Sequence, residues 1–501
     1  MASPETDERG GNVVERAGER IADVVERWMP SPFLFAIILT YIVFVAGLFV
    51  EGEGAFQMVE HWYGGFWGFL EFAMQMTLIL MTGFVIAYHP RVNDFLVRLA
   101  TLPSSNRQAV VLVGVFSMAL AWFHWGFSLI IGAIFAREMG KAMYEQGIQV
   151  HYPLLCVAGY MGLGLTWHWG LSGSAPLLLT DAGEVGEGTA FAMVPEAVPA
   201  SATIFSGYAL TLTVLSIIFA ALVLWVLTPS AERSRDITEY VSEEELFGET
   251  AVADGGADES GTAGDGPDAP AGDETPSDEE TPTSGRGDDR PVPAERIDNS
   301  RLLGGLIALT GLGFVAYLFA TQGLDAWELN VVNFTFLMAG LLIFTRPAVY
   351  RERFGEAARA AAGIILLFPF FAGIQGMMAA SGLSETVAEG LLAISTEATF
   401  PVIAWITAAI VNLFVPSGGG EWIVVGPPVL EAANDLGIPV GHATMAYAVG
   451  DAHTNLLNPF WALPLLAITR IKAREMFGYA VAMLLALIPF LAVVLFLLPY
   501  F

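Results

Sequence analysis

Apolar runs about twenty residues long recur through this chain, the length at which an α-helix crosses the hydrocarbon core of a bilayer. Clear examples are PFLFAIILTYIVFVAGLFV from Pro32, GYALTLTVLSIIFAALVLWVL from Gly207, LLGGLIALTGLGFVAYLFA from Leu302 and the C-terminal AVAMLLALIPFLAVVLFLLPYF. Of the 501 residues 54% are hydrophobic and 15% charged, which excludes a soluble fold. Lipid offers backbone groups no partners, so only helices and closed barrels span it. A barrel would alternate over about ten residues, and these runs do not. The expected fold class is an all-α polytopic membrane protein.

The net charge of −29 is concentrated in one place. Residues 229–300 are acidic, rich in Gly, Pro, Ser and Thr, and nearly free of large apolar side chains. Such a segment cannot bury enough surface to fold. It reads as a disordered cytoplasmic linker between a first membrane repeat, 32–228, and a second, 301–501. Residues 1–31 lack a cleavable-signal pattern. Within them Val14, Ala17, Ile21, Val25 and Trp28 recur at helical spacing, as in a helix lying on the membrane or packed on the protein itself. One cysteine, Cys156, excludes an internal disulfide and a cysteine-cluster metal site. Two lysines against twenty arginines, with the acid excess, would suit a high-salt organism, which proteome composition would test. No nucleic-acid partner is expected.

Positive charge sets the topology. With a cytoplasmic N-terminus, and with segments 108–136 and 400–433 each entering and leaving on one side, every Lys and Arg falls on the cytoplasmic side or its interface. The C-terminus then lies outside. The linker also divides two related halves. GIQVHYPLLCVAGY from Gly147 resembles GIPVGHATMAYAVG from Gly437, and LIIGAIFARE from Leu129 lines up with IVVGPPVLEA from Ile423. Each half therefore carries a broken, re-entrant hairpin, a turn near GI.V and an interrupted span, in opposite orientations. That is the inverted-repeat pattern of secondary carriers, which bind where broken helices meet.

Four interrupted stretches hold the polar residues. The first hairpin, ALAWFHWGFSL, offers His124, Trp125 and Gly126; its partner, VNLFVPSGGGEW, offers Ser417, Gly418, Gly419, Gly420 and Glu421. The interrupted spans GLTWHWGLSGSAP and AVGDAHTNLLNPFW offer His168, Ser172, Ser174, Asp451, His453, Thr454 and Asn455. Opened half-helices expose N–H groups that suit a carboxylate and carbonyls that suit a cation. Asp451 is an acid inside a membrane segment, a placement that usually marks an ion or proton path. The plainer readings are close packing for the glycines, an aromatic niche for His124 and His168, a helix cap for Asp451 and an interhelical hydrogen bond for Glu71. Whether Glu421 belongs to the site is open from sequence. SGGG lacks a following Lys and Ser/Thr, so no nucleotide-driven pump is indicated, and no metal-ligand spacing occurs. Gly170 to Gly173 match the short GxSG string of rhomboid-type intramembrane proteases, with His453 as a conceivable base for Ser172.

The strings HWGFSLI, GLSGSAPLL, FVPSGGGEW and GDAHTNLLNPFWALPLLAI resemble the short-chain fatty acid transporter family (the AtoE-like proteins), within the wider ion-transporter superfamily of organic-anion carriers. The similar span order covers nearly all of residues 30–500 except the linker. That family often has Gln after the triple glycine, where this chain has Glu421. The resemblance implies a carrier of short-chain monocarboxylates such as acetoacetate or butyrate, commonly a homodimer, with a scaffold and an elevator-like moving part.

The expectation is a secondary transporter in the cytoplasmic membrane, driven by H⁺ or Na⁺ and using no cofactor. Ser417, Gly418, Gly419 and Gly420 would face the tip His124–Trp125–Gly126. With Ser172, Ser174, Thr454 and Asn455 these residues would hold the carboxylate or the coupling ion. Asp451 would couple, and His168 or His453 would carry protons. The alternatives are a dicarboxylate or other organic-anion carrier, an intramembrane serine protease, and a channel.

Overall fold

The computed structural model describes residues 32–247 and 292–498. The helix expected within 1–31 and most of the expected linker lie outside these residues. In the first half run α1 (Pro32–Phe49), α2 (Ala55–Gly65), α3 (Leu70–Ala87), α4 (Pro90–Ala100), α5 (Asn106–Phe123), α6 (Trp125–Glu145), α7 (Tyr152–Tyr160) and α8 (Gly207–Leu227). In the second run α9 (Arg301–Gln322), α10 (Leu329–Phe344), α11 (Pro347–Ser381), α12 (Leu383–Ile394), α13 (Phe400–Asn412), α14 (Gly418–Asp435), α15 (Val440–Thr454), α16 (Pro459–Thr469) and α17 (Ala473–Leu497). Regular structure among the described residues is helical, with one isolated bridge between Val185 and Phe191. The all-α polytopic class holds.

Burial separates two kinds of helix. Seven stretches among the described residues are long and apolar enough to cross a membrane. Several of these expose large apolar side chains, such as Phe49 on α1, Val226 on α8 and Leu302 on α9, as lipid-facing helices must. Inside them sits a core in which α7 is buried on every side, and α14 and α15 along almost their whole length. These are the interrupted stretches. A helix buried all round has no lipid to face, so its broken backbone and polar groups meet protein.

The repeat is visible in the turns. Gly147 and Gly437 both take positive φ, 70° and 71°, the left-handed conformation that glycine adopts without steric cost. After Gly147, Ile148 N–H reaches Met143 O at 2.9 Å while Gly147 N–H reaches Tyr144 O at 2.9 Å. After Gly437, Ile438 N–H reaches Ala433 O at 2.9 Å and Gly437 N–H reaches Asn434 O at 3.0 Å. Both turns are the same two-bond helix stop, the Schellman motif. Each half then continues into a helix that loses its regular pitch. α7 passes into a π-turn at Gly162–Thr166 and a short helix at Ser174–Leu178, and α15 into a 3₁₀ turn at Asn455–Leu457 and then α16.

Two expectations shift. Packed chain continues past residue 228 as far as Phe247, because Ile237, Val241 and Leu246 are buried. Its acids also find bases: Glu245 Oε1 lies 3.4 Å from Arg137 Nη2 and 3.3 Å from Arg470 Nε, tying the two halves together. Glu71, expected in an interhelical hydrogen bond, instead stands exposed in the first turn of α3.

Candidate functional site

The site is built on two helix breaks. At the first, His124 is extended (φ −160°, ψ 112°), ending α5 and capping α6, where its Nδ1 accepts Phe127 N–H at 3.4 Å. Trp125 N–H, also unsatisfied by the helix, donates to Ser172 Oγ at 2.9 Å. At the second, Ser417 is extended (φ −150°, ψ 95°) and caps α14, its Oγ accepting Gly420 N–H at 3.3 Å. That leaves Gly418 and Gly419 as the first two N–H groups of α14, at the positive end of its dipole. Side chains are excluded here. A Cβ on Gly418 would collide with the Trp167 ring, one on Gly419 would lie 2.9 Å from Phe368 Cζ, and one on Gly420 would collide with Phe371.

The two tips meet through aromatic rings. Trp125 packs edge-on to Trp461 and Trp167, with centroids 5.8 and 5.9 Å away, and Trp461 Nε1–H donates to Pro416 O at 2.9 Å. Between them opens a cavity of about 430 Å³ free of atoms, open solvent at its mouth included. Ser174, Ser417, Gly418, Gly419 and Asn455 form its polar part. Trp125, Trp167 and Trp461, together with Met76, Leu163, Ile364 and Phe368, form apolar walls. No Lys or Arg lines it.

Behind Ser174 lies a chain of buried ionisable groups. His168 Nε2 sits 2.9 Å from Ser174 Oγ and accepts Ala175 N–H at 3.2 Å. An accepted N–H means that nitrogen is bare, so the neutral ring carries its hydrogen on Nδ1. Nδ1 lies 2.5 Å from Asp451 Oδ2, close but off the hydrogen-bonding line. The Asp451 carboxyl in turn interacts with that of Glu421, whose Oε1 accepts Tyr447 O–H at 2.6 Å. His168, Asp451, Glu421 and Tyr447 are all fully buried. Both Asp451 oxygens and Glu421 Oε2 have no hydrogen-bond donor. Among the described residues no group of three His, Cys, Asp or Glu could hold a metal ion.

The remaining expected site residues divide clearly. Asn455 lines the cavity and fixes its edge: its Nδ2 donates to Leu163 O at 3.2 Å, and its Oδ1 accepts from Asn412 at 3.0 Å. Thr454 belongs to the same knot, accepting from Asn412 Nδ2 at 3.0 Å. His124, expected at the substrate, lies instead in an aromatic niche, stacked on Phe127 and edge-on to Phe336, both at 4.2 Å. Gly126 is a packing glycine where α6 crosses α3; a Cβ there would sit 3.4 Å from Gly83 Cα. Ser172 caps α6 and does not line the cavity. His453, expected as a proton carrier, turns to α17, with Nε2 3.0 Å from Leu484 O. Ser172 and His453 thus have separate partners and form no dyad with each other.

Sequence reasoning missed Tyr447 and the apolar wall. Tyr447, Asp451 and Asn455 are spaced i, i+4, i+8, one helical face, and that spacing was the available signal. Met76, Ile364 and Phe368 had none, since an apolar residue in an apolar helix looks like any other.

Comparison with known proteins agrees with this geometry. The family model described as short chain fatty acid transporter matches residues 13–261 and 272–498. An Escherichia coli (strain K12) protein named "Putative short-chain fatty acid transporter" is 34% identical over 473 residues, 94% of this chain and 97% of that one. A Haemophilus influenzae protein of the same name is 30% identical over 482 residues, 95% and 98% of the two chains. Two solved structures share the fold at low identity. The YdaH transporter of Alcanivorax borkumensis, described as having an unusual topology, gives a TM-score of 0.52 at 16% identity, covering 93% of this chain and 98% of that one. MtrF of Neisseria gonorrhoeae, described with a class of antimetabolite efflux pumps, gives 0.56 at 13% identity, covering 96% and 98%. This chain is a multi-pass membrane transporter, not an enzyme, and belongs to the short-chain fatty acid transporter family.

Proposed function

We propose that the chain is a secondary carrier of short-chain monocarboxylates such as acetoacetate or butyrate, and that the cavity between the two tips is its substrate site. The supporting observation is the cavity's mixed lining. Ser417 and the Gly418 and Gly419 N–H groups gather at the positive end of α14, and Met76, Ile364 and Phe368 supply apolar wall to the same cavity. A small carboxylate with a short apolar tail matches both parts. A dicarboxylate would bury a second charge where no Lys or Arg is at hand to pair with it.

In this reading both broken hairpins are re-entrant, the N-terminus and acidic linker are cytoplasmic, and the C-terminus lies outside. The positive-charge map supports that orientation, and the twin turns at Gly147 and Gly437 support the inverted repeat. The membrane is the cytoplasmic one. Transport is coupled to a cation and runs by an elevator-like motion in a homodimer, as the family resemblance implies.

The test is exchange of labelled acetoacetate by purified protein in liposomes, without gradients, against a panel of acids. Saturable exchange, competed by butyrate and not by succinate, is expected. Exchange no faster than in empty liposomes, or stronger competition by succinate, contradicts the reading.

A further inference from the structure

We propose that the coupling ion is H⁺ and that it is carried by Glu421 and Asp451 together, reached from the substrate cavity through Ser174 and His168. The inference rests on the carrier reading above and adds to it the identity of the ion and the role of Glu421.

The argument begins with charge. Two carboxyls, both fully buried, interact with each other, with Tyr447 on one and His168 on the other. Tyr447 donates to one of them, no cationic side chain acts on Glu421, and three of their four oxygens have no donor. Two adjacent carboxylates in a water-poor interior repel strongly and are costly to desolvate. A proton between them removes one charge and supplies the missing donor. An interacting acid pair that shares one proton is the arrangement such geometry favours. The described groups that face the pair include no Lys or Arg. His168 faces Asp451, and Tyr447 shares α15 with it. Asn412 of α13 holds the Asp451 main-chain carbonyl at 2.6 Å, and His453 faces α17.

The second link is the path. Ser174 lines the cavity and touches Nε2 of His168, and Nδ1 of the same ring touches Asp451. A proton arriving from cavity water forms a bond at Nε2. The Nδ1–H bond then breaks, and its proton forms an O–H bond on Asp451. The ring is neutral before and after, and the acid pair has gone from one proton to two. Nε2 carrying a hydrogen can no longer accept Ala175 N–H, so loading the pair also releases the chain at the start of the short helix Ser174–Leu178. One proton moves with one monocarboxylate, and the cycle transfers no net charge.

Three readouts on full-length protein in liposomes test this. Gradient-free exchange of labelled acetoacetate first establishes that a carrier is present; if it is absent, the carrier reading fails and the ion is not at issue. With exchange in hand, an alkaline interior of one pH unit should drive accumulation to about tenfold above the external level. The drive should need no Na⁺ and ignore membrane potential. Acetoacetate is chosen because its neutral, leaky form is scarcer than that of butyrate, and empty liposomes give the leak. In E421Q the accumulation ratio above leak should fall to about one, since the variant keeps an acceptor for Tyr447 but loses the pair. Infrared spectra of the wild type should show a protonated-carboxyl band that is missing in both E421Q and D451N. A requirement for Na⁺, full pH-driven accumulation by E421Q, or a band unchanged in either variant overturns the proposal. Should E421Q fail to fold, the Na⁺ test on the wild type and the band in D451N still decide it.

Discussion

The two helix breaks share a geometry and differ in chemistry. Each pairs an extended cap residue with a new helix, and each half then runs through the same glycine turn into an interrupted span. At the first break the cap is His124, held among Phe127 and Phe336, and the first turns of the helix it starts, WGFSLII from Trp125, hold no acid. At the second the cap is Ser417, three glycines follow, and Glu421 stands in the first turn. The interrupted spans differ likewise: Asp451 lies on α15, whereas Tyr152–Thr166 has no acid and the base, His168, follows it. Repetition duplicated the scaffold, and the acids belong to one copy. The first half supplies a firm wall and a histidine, and the second supplies open N–H groups and the carboxyl pair.

The largest effect that sharpens this contrast is expected at Asp451. D451N keeps shape but removes a carboxyl from the pair, and gradient-driven uptake should fall roughly a hundredfold; substitution at Met161 of the first half by Leu should cost little. Uptake of D451N near wild type would erase the division of labour. Next come the glycines of the two tips. G418A forces a methyl into the Trp167 ring, which stacks on His168 at 4.4 Å and has little room to yield. G126A meets atoms no nearer than 3.1 Å. Overpacking of about 1–3 kcal/mol is expected for G418A and less for G126A, with substrate affinity falling only in G418A. Equal losses in thermal-shift and exchange assays would show that both glycines merely pack.

S172A strips Trp125 N–H of its acceptor and should destabilise by a similar amount, about 1–3 kcal/mol, but without the loss of substrate affinity expected for G418A. Serine proteolysis by this residue is not expected, and S172A should leave the ion dependence unaltered. The smallest effect lies outside the membrane. Burial, with Asp181 and Glu71 adding repulsion, pushes the Glu184 carboxyl up to about 7 from 4.5. The folded loop thus holds that proton more tightly than the unfolded chain. Its contribution to stability is intact below pH 4.5 and is lost as pH rises to about 7. E184Q should therefore raise the melting temperature slightly at pH 8 and not at pH 4; an equal shift at both contradicts the assignment.

Much of this was legible in residue order, for reasons that particular positions make plain. Helix spans follow from apolar run length, and the breaks from Pro416, the triple glycine and the polar string after Thr166. The twin glycines at 147 and 437 announced the repeat. What stayed hidden was direction. Nothing local tells whether His124 or His453 faces a cavity, because each sits beside tryptophan or a small residue and the neighbours that decide, Phe336 and Leu484, come from distant helices. Glu421 was ambiguous for the same reason: its partners Tyr447 and Asp451 lie a turn and a helix away. The end of the acidic segment was misjudged because three apolar residues, Ile237, Val241 and Leu246, are enough to dock 229–247 when Arg137 and Arg470 wait for its carboxylates.

The central claim is that substrate occupies the space between the tips. It is tested most directly by a cysteine placed at Ile364 on the cavity wall, with Cys156 fully buried and out of reach of reagent. Labelling of I364C by a small methanethiosulfonate should be slowed by butyrate in a saturable way, with a midpoint matching that of exchange, while a control cysteine at exposed Ser201 is unaffected. Labelling of I364C that saturating substrate leaves unchanged, in protein that still exchanges it, would place the substrate elsewhere.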